Sequence, residues 1–463
     1  MAFFSPAKIT TMDEARSHRV WALAVLIVVY VFNYIDRQVL SILMVRIQPD
    51  LGLSDAQIGL LVGFSFAAVY CTFGIPIARI ADSASRKGVI AASLAVWSGF
   101  TALSGLAGSF SQLFLARLGV GIGEAGGSPP AHALISDLYE KEKRGRALAV
   151  YSAGLYLGTL LGFALGGALV DTLDWRQAFF VVGLPGLLFS IIVWTTVREP
   201  RRGLSGAAPA TADVTFLQSF RKLWALKAFR YYSLAAGAGL FVTYGVGNFL
   251  PTFLMRTYGQ WAWPGVQQAL GFCTGGAACT AMSATEIGLF YGLVAGIAGA
   301  IGTIAGGYLA DDRGGRDRRW FLWVPMWGKL IAGPLFILSF FAPSAELCLL
   351  IYFPAIGLAA MYLGPSIAIT HHLVPPGMRA MASAVFLFII NMIGLGFGPT
   401  ALGLTSDWLR ILAGAGSMSL QWAMAAVVVA MYPLCFLWHL GARALPKGEL
   451  RDDGEEPLAE VFS

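Results

Sequence analysis

The 463-residue chain has little charge and little cysteine. Only 13% of its residues are Asp, Glu, Lys or Arg, where a soluble protein carries about 25%. Its five Cys are too few for a disulfide scaffold, and its 57% apolar content excludes disordered and collagen-like chains. A net charge of +6 and a pI near 9.1 would suit a nucleic-acid binder only if the basic residues formed a patch. They do not. A mean hydropathy of +0.68 points instead to a polytopic membrane protein.

A helix crossing about 30 Å of hydrocarbon needs roughly 20 mostly apolar residues. Twelve such stretches are present, numbered here as spans 1 to 12. The first six are Val20–Val45, Ala56–Ile80, Val89–Gly108, Gln112–Ile135, Ala147–Val170 and Ala178–Val197. The second six are Tyr231–Met255, Ile287–Ala310, Trp320–Phe341, Leu347–His371, Met381–Leu404 and Leu420–Leu440. They are too long and too unalternating for outer-membrane strands. Span 1 exceeds a signal peptide's apolar core and lacks a cleavage pattern, so it is expected to be retained.

With both termini placed inside, and Arg79 at the inner end of span 2 counted with that side, 25 of the 32 Lys and Arg lie there, four on the other side and three deeper within spans. This bias predicts cytoplasmic N- and C-termini and accounts for the basic pI without nucleic acid; the excess of Arg over Lys, with abundant Ala and Gly, hints at a bacterial source and so at an inner membrane. The expected layout is a first six-helix bundle over 1–197, a cytoplasmic linker over 198–230, a second bundle over 231–441 and a tail over 442–463. The linker turns amphipathic from Thr215 to Lys227, as a helix lying on a membrane surface would.

The halves echo each other. Ala78–Lys87 after span 2 resembles Gly307–Arg316 after span 8. Arg144 recurs as Arg379, 235 residues on, and Asp171 as Asp407, 236 residues on. Such a parallel repeat implies two six-helix bundles related by an axis along the membrane normal.

Those same loops resemble the signature of the major facilitator superfamily. The first copy departs from it at Ala78, Ser83 and Ser85 but keeps Asp82, Arg86 and Lys87. Gly158, Gly162, Gly166 and Gly167 in span 5, and Trp175–Phe179 before span 6, add to the likeness. Phe32–Gln38 in span 1 and Arg117–Gly126 in span 4 resemble the spinster subfamily. The resemblance implies an all-α transporter of twelve transmembrane helices in two pseudo-symmetric bundles, working by alternating access. It further implies a proton-coupled carrier of an amphipathic lipid, such as a lysophospholipid or a sphingosine-1-phosphate-like molecule. The competing expectation is a proton-coupled transporter of drugs or small organic anions. Activity as an enzyme, a cofactor and a metal are not expected; the expected partners are the lipid cargo, protons and the bilayer, and the chain is expected to be monomeric.

Ionisable side chains inside spans cost at least about 2.5–3.5 kcal/mol near the helix centre and mark function by default. Asp36 and Arg37 stand at the middle of span 1, beside a polar stripe of Asn33, Arg37 and Ser41. Arg117, Gly121, Glu124, Ser128 and His132 form a stripe in span 4. The spinster resemblance places spans 1, 4, 7 and 10 around the cavity, makes Arg37 the contact for an anionic head group and makes Asp36 and Glu124 the proton-coupling carboxylates. A poorly solvated carboxyl binds a proton more readily, whereas a nearby Arg opposes this, so proton and Arg would compete. The alternative is a permanent ion-pair network that only fixes helix packing; Arg117 is open to either role. In span 10, Tyr362, Ser366 and Thr370 share a face that either lines the cavity or packs. Asp82, paired with Arg86, is expected to gate the cytoplasmic end, with Asp311 its counterpart in the second half.

Other motifs carry less. Gly121-x-Gly123-x-x-Gly126 matches a dinucleotide fingerprint but lies in an apolar span without a βαβ unit. His371 and His372 are adjacent, so they diverge on a helix and suit a span end better than a metal. Lys329 lies within span 9 with its role open. Cys273 and Cys279 share the loop between spans 7 and 8, where a disulfide is one possibility.

Overall fold

The computed structural model of the chain describes residues 12–199, 216–259, 282–375, 378–412, 414 and 416–445. About half of the expected linker (200–215), the tail from 446, and both Cys273 and Cys279 fall outside the described residues. Within them every regular element is helical and no strand occurs. Among the described residues eleven helices are long and apolar enough to cross a membrane. The twelfth expected span, span 4, is the exception.

Span 4 is broken into Phe110–Glu124 and Ser128–Leu138. The cause is local sequence. Gly126 and Gly127 cost helix stability, and Pro129 and Pro130 lack the N–H groups a continuous helix would bond. Both prolines are tolerated because they fall in the first turn of the second piece. Span 10 breaks likewise into Ala345–Ala360 and Leu363–His372. Spans 2 and 11 each contain a π-helical segment, Leu60–Phe64 and Met392–Phe397. The remaining spans run as Met12–Leu51, Arg86–Ser104, Lys141–Thr172, Trp175–Thr196, Lys227–Tyr258, Ala284–Gly314 and Trp320–Phe340, with span 12 beginning at Ser419.

An even number of spans puts the start of span 1 and the end of span 12 on one face, the terminal face; the opposite one is the distal face. Lipid gives helices no hydrophobic drive to associate, so close packing through small residues must hold them. Span 5 therefore runs tightly along span 1: a Cβ on Gly158 would come within 2.8 Å of the Val31 carbonyl oxygen. The halves meet in the same manner. A Cβ on Gly59 in span 2 would lie 2.3 Å from the Pro399 oxygen in span 11, and one on Gly288 in span 8 would lie 2.1 Å from the Phe163 oxygen in span 5.

The apolar core shows how the halves lean. One cluster, around Leu43, Ile47, Phe163, Phe249, Tyr291 and Leu402, draws on both halves toward the distal face. Toward the terminal face packing divides. A cluster around Phe229, Tyr232 and Trp438 is confined to the second half, and one around Leu26, Trp97 and Tyr151 belongs mainly to the first. Among the described residues the apolar cluster shared by both halves thus lies distally, while each terminal cluster belongs wholly or mainly to one half. The helix Phe216–Ala225, on the expected amphipathic segment, buries Ser219 and Leu223 and sets Phe216 against Phe388 of span 11.

Candidate functional site: a buried charge tetrad beside a central cavity

Four ionisable side chains converge at mid-depth in the first half. Arg37 donates from Nε to Glu124 Oε2 at 2.6 Å. Arg117 faces Asp36 across 3.8 Å, and Thr101 of span 3 donates its hydroxyl to Asp36 Oδ2 at 2.5 Å. Two guanidinium groups against two carboxylates make the cluster neutral as a whole, which is how charges persist away from water.

The two Arg differ in setting. Arg37 lies over the rings of Phe66, Tyr70 and Tyr34, at 4.5, 5.0 and 5.2 Å from their centroids. Aromatic faces stabilise a desolvated cation by their quadrupoles. The Arg37 side chain keeps 14% exposure while that of Glu124 has none, so Arg37 faces the cavity and Glu124 stands behind it. Arg117 is more deeply enclosed, and its Nε and Nη1 have no hydrogen-bond partner among the described residues. Asp36 Oδ1 and Glu124 Oε1 are similarly unsatisfied. Buried polar atoms without partners are costly and rare, so this cluster keeps hydrogen-bonding capacity in reserve.

Beside it lies a cavity of about 150 Å³ between the halves. The first half contributes Tyr34, Arg37, Phe66, Arg117 and Tyr156; the second contributes Thr243, Tyr244, Asn248 and Tyr291. Ser41 donates to Asn248 at 2.6 Å, tying span 1 to span 7, and Tyr156 bonds Thr303 between spans 5 and 8.

Several expected site residues stand elsewhere. Ser366 and Thr370 are fully buried and donate to the carbonyls of Tyr362 and Ser366, and Tyr232 bonds Thr370. They pack the second bundle, and span 10 reaches the cavity through Ile356 instead of Tyr362. Asn33 is buried without lining the cavity. Ser128 and His132 lie beyond the break in span 4, so the helical stripe that joined them to Glu124 is interrupted; His132 is exposed, edge-on to Tyr151.

At the terminal face Arg86 is gripped by two carboxylates among the described residues. It bonds Asp137 at the end of span 4 at 2.6 Å and Glu199 after span 6, which also accepts from the Arg86 backbone N–H. This lock joins three helix ends of one half. Burial alone would raise the Glu199 carboxyl, but hydrogen bonds from Ser85 and Arg86 outweigh it and hold the group below the usual carboxylate range. The Asp82 side chain falls outside the described residues, and Asp311 is exposed near the terminal end of span 8.

The distal face carries contacts that the sequence did not announce. Asp55, wholly buried at the start of span 2, receives Arg256 of span 7 through two bonds of 2.6 and 2.9 Å and Ser406 of span 11 at 2.7 Å. The repeated aspartates form a matched pair. Asp407 accepts from the backbone N–H groups of Asp55 and Ala56, and Asp171 from those of Ala284 and Thr285. Each carboxylate caps a helix N-terminus across the boundary between halves, where an anion is favoured.

Two helical bundles around a central cavity, tied together at the distal face by ion pairs and caps that cross between them, have the architecture of a membrane transporter. The chain belongs to the Major Facilitator Superfamily, whose family model matches residues 26–399. It is 35% identical to an MFS-type efflux pump of Mycolicibacterium smegmatis, over 95% of this chain and 97% of that one. It is 27% identical to spinster homolog 3 of Danio rerio, over 88% and 80%. Among solved structures it is similar to a bacterial homolog of the human lysosomal transporter spinster in an inward-facing, unoccupied conformation: TM-score 0.80, 30% identity, 94% of this chain and 99% of that one.

Proposed function

We propose that the protein is a proton-coupled secondary transporter of a single-chain amphipathic lipid. It would sit in the bacterial inner membrane with its terminal face cytoplasmic and its distal face periplasmic. The observation that carries this is the Arg37–Glu124 bond at the cavity wall. Arg37 meets the cavity with a caged guanidinium suited to a phosphate or carboxylate head group. Its partner Glu124 is wholly enclosed, with one oxygen bonded and the other in reserve. Protonating Glu124 removes the charge that holds Arg37 and leaves the guanidinium free for the cargo. Cargo leaving and proton leaving are thereby linked through one residue. Asp36, held by Arg117 and Thr101, is the second carboxylate of this relay. The aromatic lining, from Tyr34, Phe66, Tyr156, Tyr244 and Tyr291, provides an apolar wall for an acyl chain. The lipid assignment is supported by likeness to spinster homologs, and the Lys and Arg bias supports the orientation.

A second cargo class is favoured by the similarity to a mycobacterial efflux pump: drugs or small organic anions, which the same cavity chemistry would bind. Flux in proteoliposomes separates the two. Fluorescent lysophospholipid uptake is expected to rise under an imposed proton gradient, and Glu124→Gln is expected to lose that rise. Absence of lysophospholipid flux from folded wild-type protein would favour the second class.

A further inference from the structure

Among the described residues, Lys329 of span 9 is the one Asp, Glu, Lys or Arg side chain in mid-membrane that neither the tetrad nor the distal seal uses. Its ammonium donates to the Gly239 carbonyl at 3.1 Å and to Thr243 Oγ1 at 3.3 Å, and it lies 5.1 Å from the centroid of the Tyr362 ring. A carbonyl, a hydroxyl and an aromatic face are all partners for a cation, and an ammonium has three donors to spend. The side chain is buried, and among the described residues no carboxylate pairs with it. Span 7 makes room for it: a Cβ on Gly239 would stand 2.6 Å from its Cε.

The position faces the cavity through a single residue. Thr243, which takes the Lys329 hydrogen bond, is itself a cavity-lining residue. On the other side, the crevice between spans 7, 9 and 12 holds about 20 Å³, room for one water and no ligand. The charge thus stands one side chain, Thr243, from the cavity. The first-half tetrad sums to zero while Glu124 is ionised, and again when Glu124 is protonated and Arg37 holds a phosphate, so in both states Lys329 leaves one uncompensated positive charge next to the second-half wall. Coulomb attraction in a medium of low dielectric reaches past one side chain.

We infer that Lys329 is a specificity-determining residue that sets the preferred cargo as an amphiphile of one net negative charge rather than a zwitterion. This deepens the transport function proposed above and rests on it. The competing role is a clamp on span 7 with no bearing on charge, so the readout must be a ratio. Purified full-length protein in proteoliposomes is given lysophosphatidylglycerol and lysophosphatidylcholine of equal chain length. Wild type is expected to favour the anionic probe, and Lys329→Met to reduce the anionic-to-zwitterionic flux ratio about tenfold with zwitterionic flux retained. An unchanged ratio, or a proportional fall of both fluxes in protein shown to be folded, overturns the inference. Lys329→Gln repeats the measurement with a polar neutral side chain. If neither variant folds, wild type decides alone: fivefold or greater preference for the anion supports the inference, and equal flux overturns it. Flux of neither probe in wild type would instead sink the lipid-transport function itself.

Discussion

The two halves are built to the same plan and charged to different ones. Span 4 breaks after Glu124 and span 10 at Met361; spans 2 and 11 each carry a π segment; Asp171 and Asp407 each cap a helix of the other half. At mid-depth the match ends. The first half holds two ion pairs against one face of the cavity, and the second holds one lysine among carbonyl, hydroxyl and ring. The repeat is thus carried by glycines, prolines and caps, which decide backbone path and close approach. Charge chemistry is free to differ between the halves because it does not set that path.

The largest effect should come from breaking the charged side of this comparison. Arg37→Ala would leave Glu124 buried without its partner, a loss of about 3–5 kcal/mol for a buried pair. Expected is flux reduced by roughly a hundredfold or more, together with a lowered melting temperature. Glu124→Gln keeps shape and one acceptor, so it should fold, bind cargo and exchange it, while losing gradient-driven accumulation. If Glu124→Gln accumulates cargo as wild type does, the link between proton and Arg37 fails.

Next is the seal shared by both halves. Asp55 alone touches three spans, and Asp55→Asn removes the carboxylate that Arg256 grips. A charge-assisted hydrogen bond contributes about 1.5–3 kcal/mol, enough to move a conformational equilibrium more than tenfold. Cysteines placed on the distal ends of spans 2 and 7 should become more reactive in the variant. Unchanged reactivity would mean that interdigitated glycines, not charge, hold this face shut.

The matched caps sharpen the comparison further. Asp171→Asn and Asp407→Asn should each cost about 1 kcal/mol of distal closure, as loss of a helix cap does, and should add in the double variant because the sites are independent. Distance distributions between spin labels across the distal face would report it. An effect from one aspartate and none from the other would show that structural symmetry here is not functional symmetry.

Most of the fold was legible because length, hydropathy and repeat spacing are properties of whole segments. The break in span 4 was also written in the sequence, in Gly126, Gly127, Pro129 and Pro130, but apolar character ran across it and masked it. Asp36, Arg37, Arg117 and Glu124 stood out as charges where charge is expensive. Their partners did not: Thr101, Phe66 and Tyr70 are ordinary residues in apolar helices, and only three-dimensional packing brings them to the tetrad. Asp55 was hidden for the opposite reason. At a span end an aspartate looks solvated, and nothing local reveals that Arg256, 201 residues later, closes over it. For Ser366 and Thr370 the sequence left cavity and packing equally open, because a shared helix face says which residues point together, not whether they point at a cavity or at a neighbouring helix.

The smallest expected effect lies at the terminal face and belongs to one half only. Glu199 binds the start of span 3 through Ser85 and Arg86, and its carboxyl is held below its ordinary value. A carboxyl with a depressed folded-state pKa stabilises the fold fully above its unfolded value, near 4.3, and loses that contribution as pH falls through the folded value. Partial exposure limits the size, so well under 1 kcal/mol is expected at neutral pH. Glu199→Gln should lower the melting temperature slightly at pH 7, and the gap from wild type should close on acidification below about pH 4. A gap that persists at low pH would assign the loss to packing of the side chain. Neither outcome should alter the reactivity of distal cysteines, because the Arg86 lock ties helix ends within the first half and does not cross to the second.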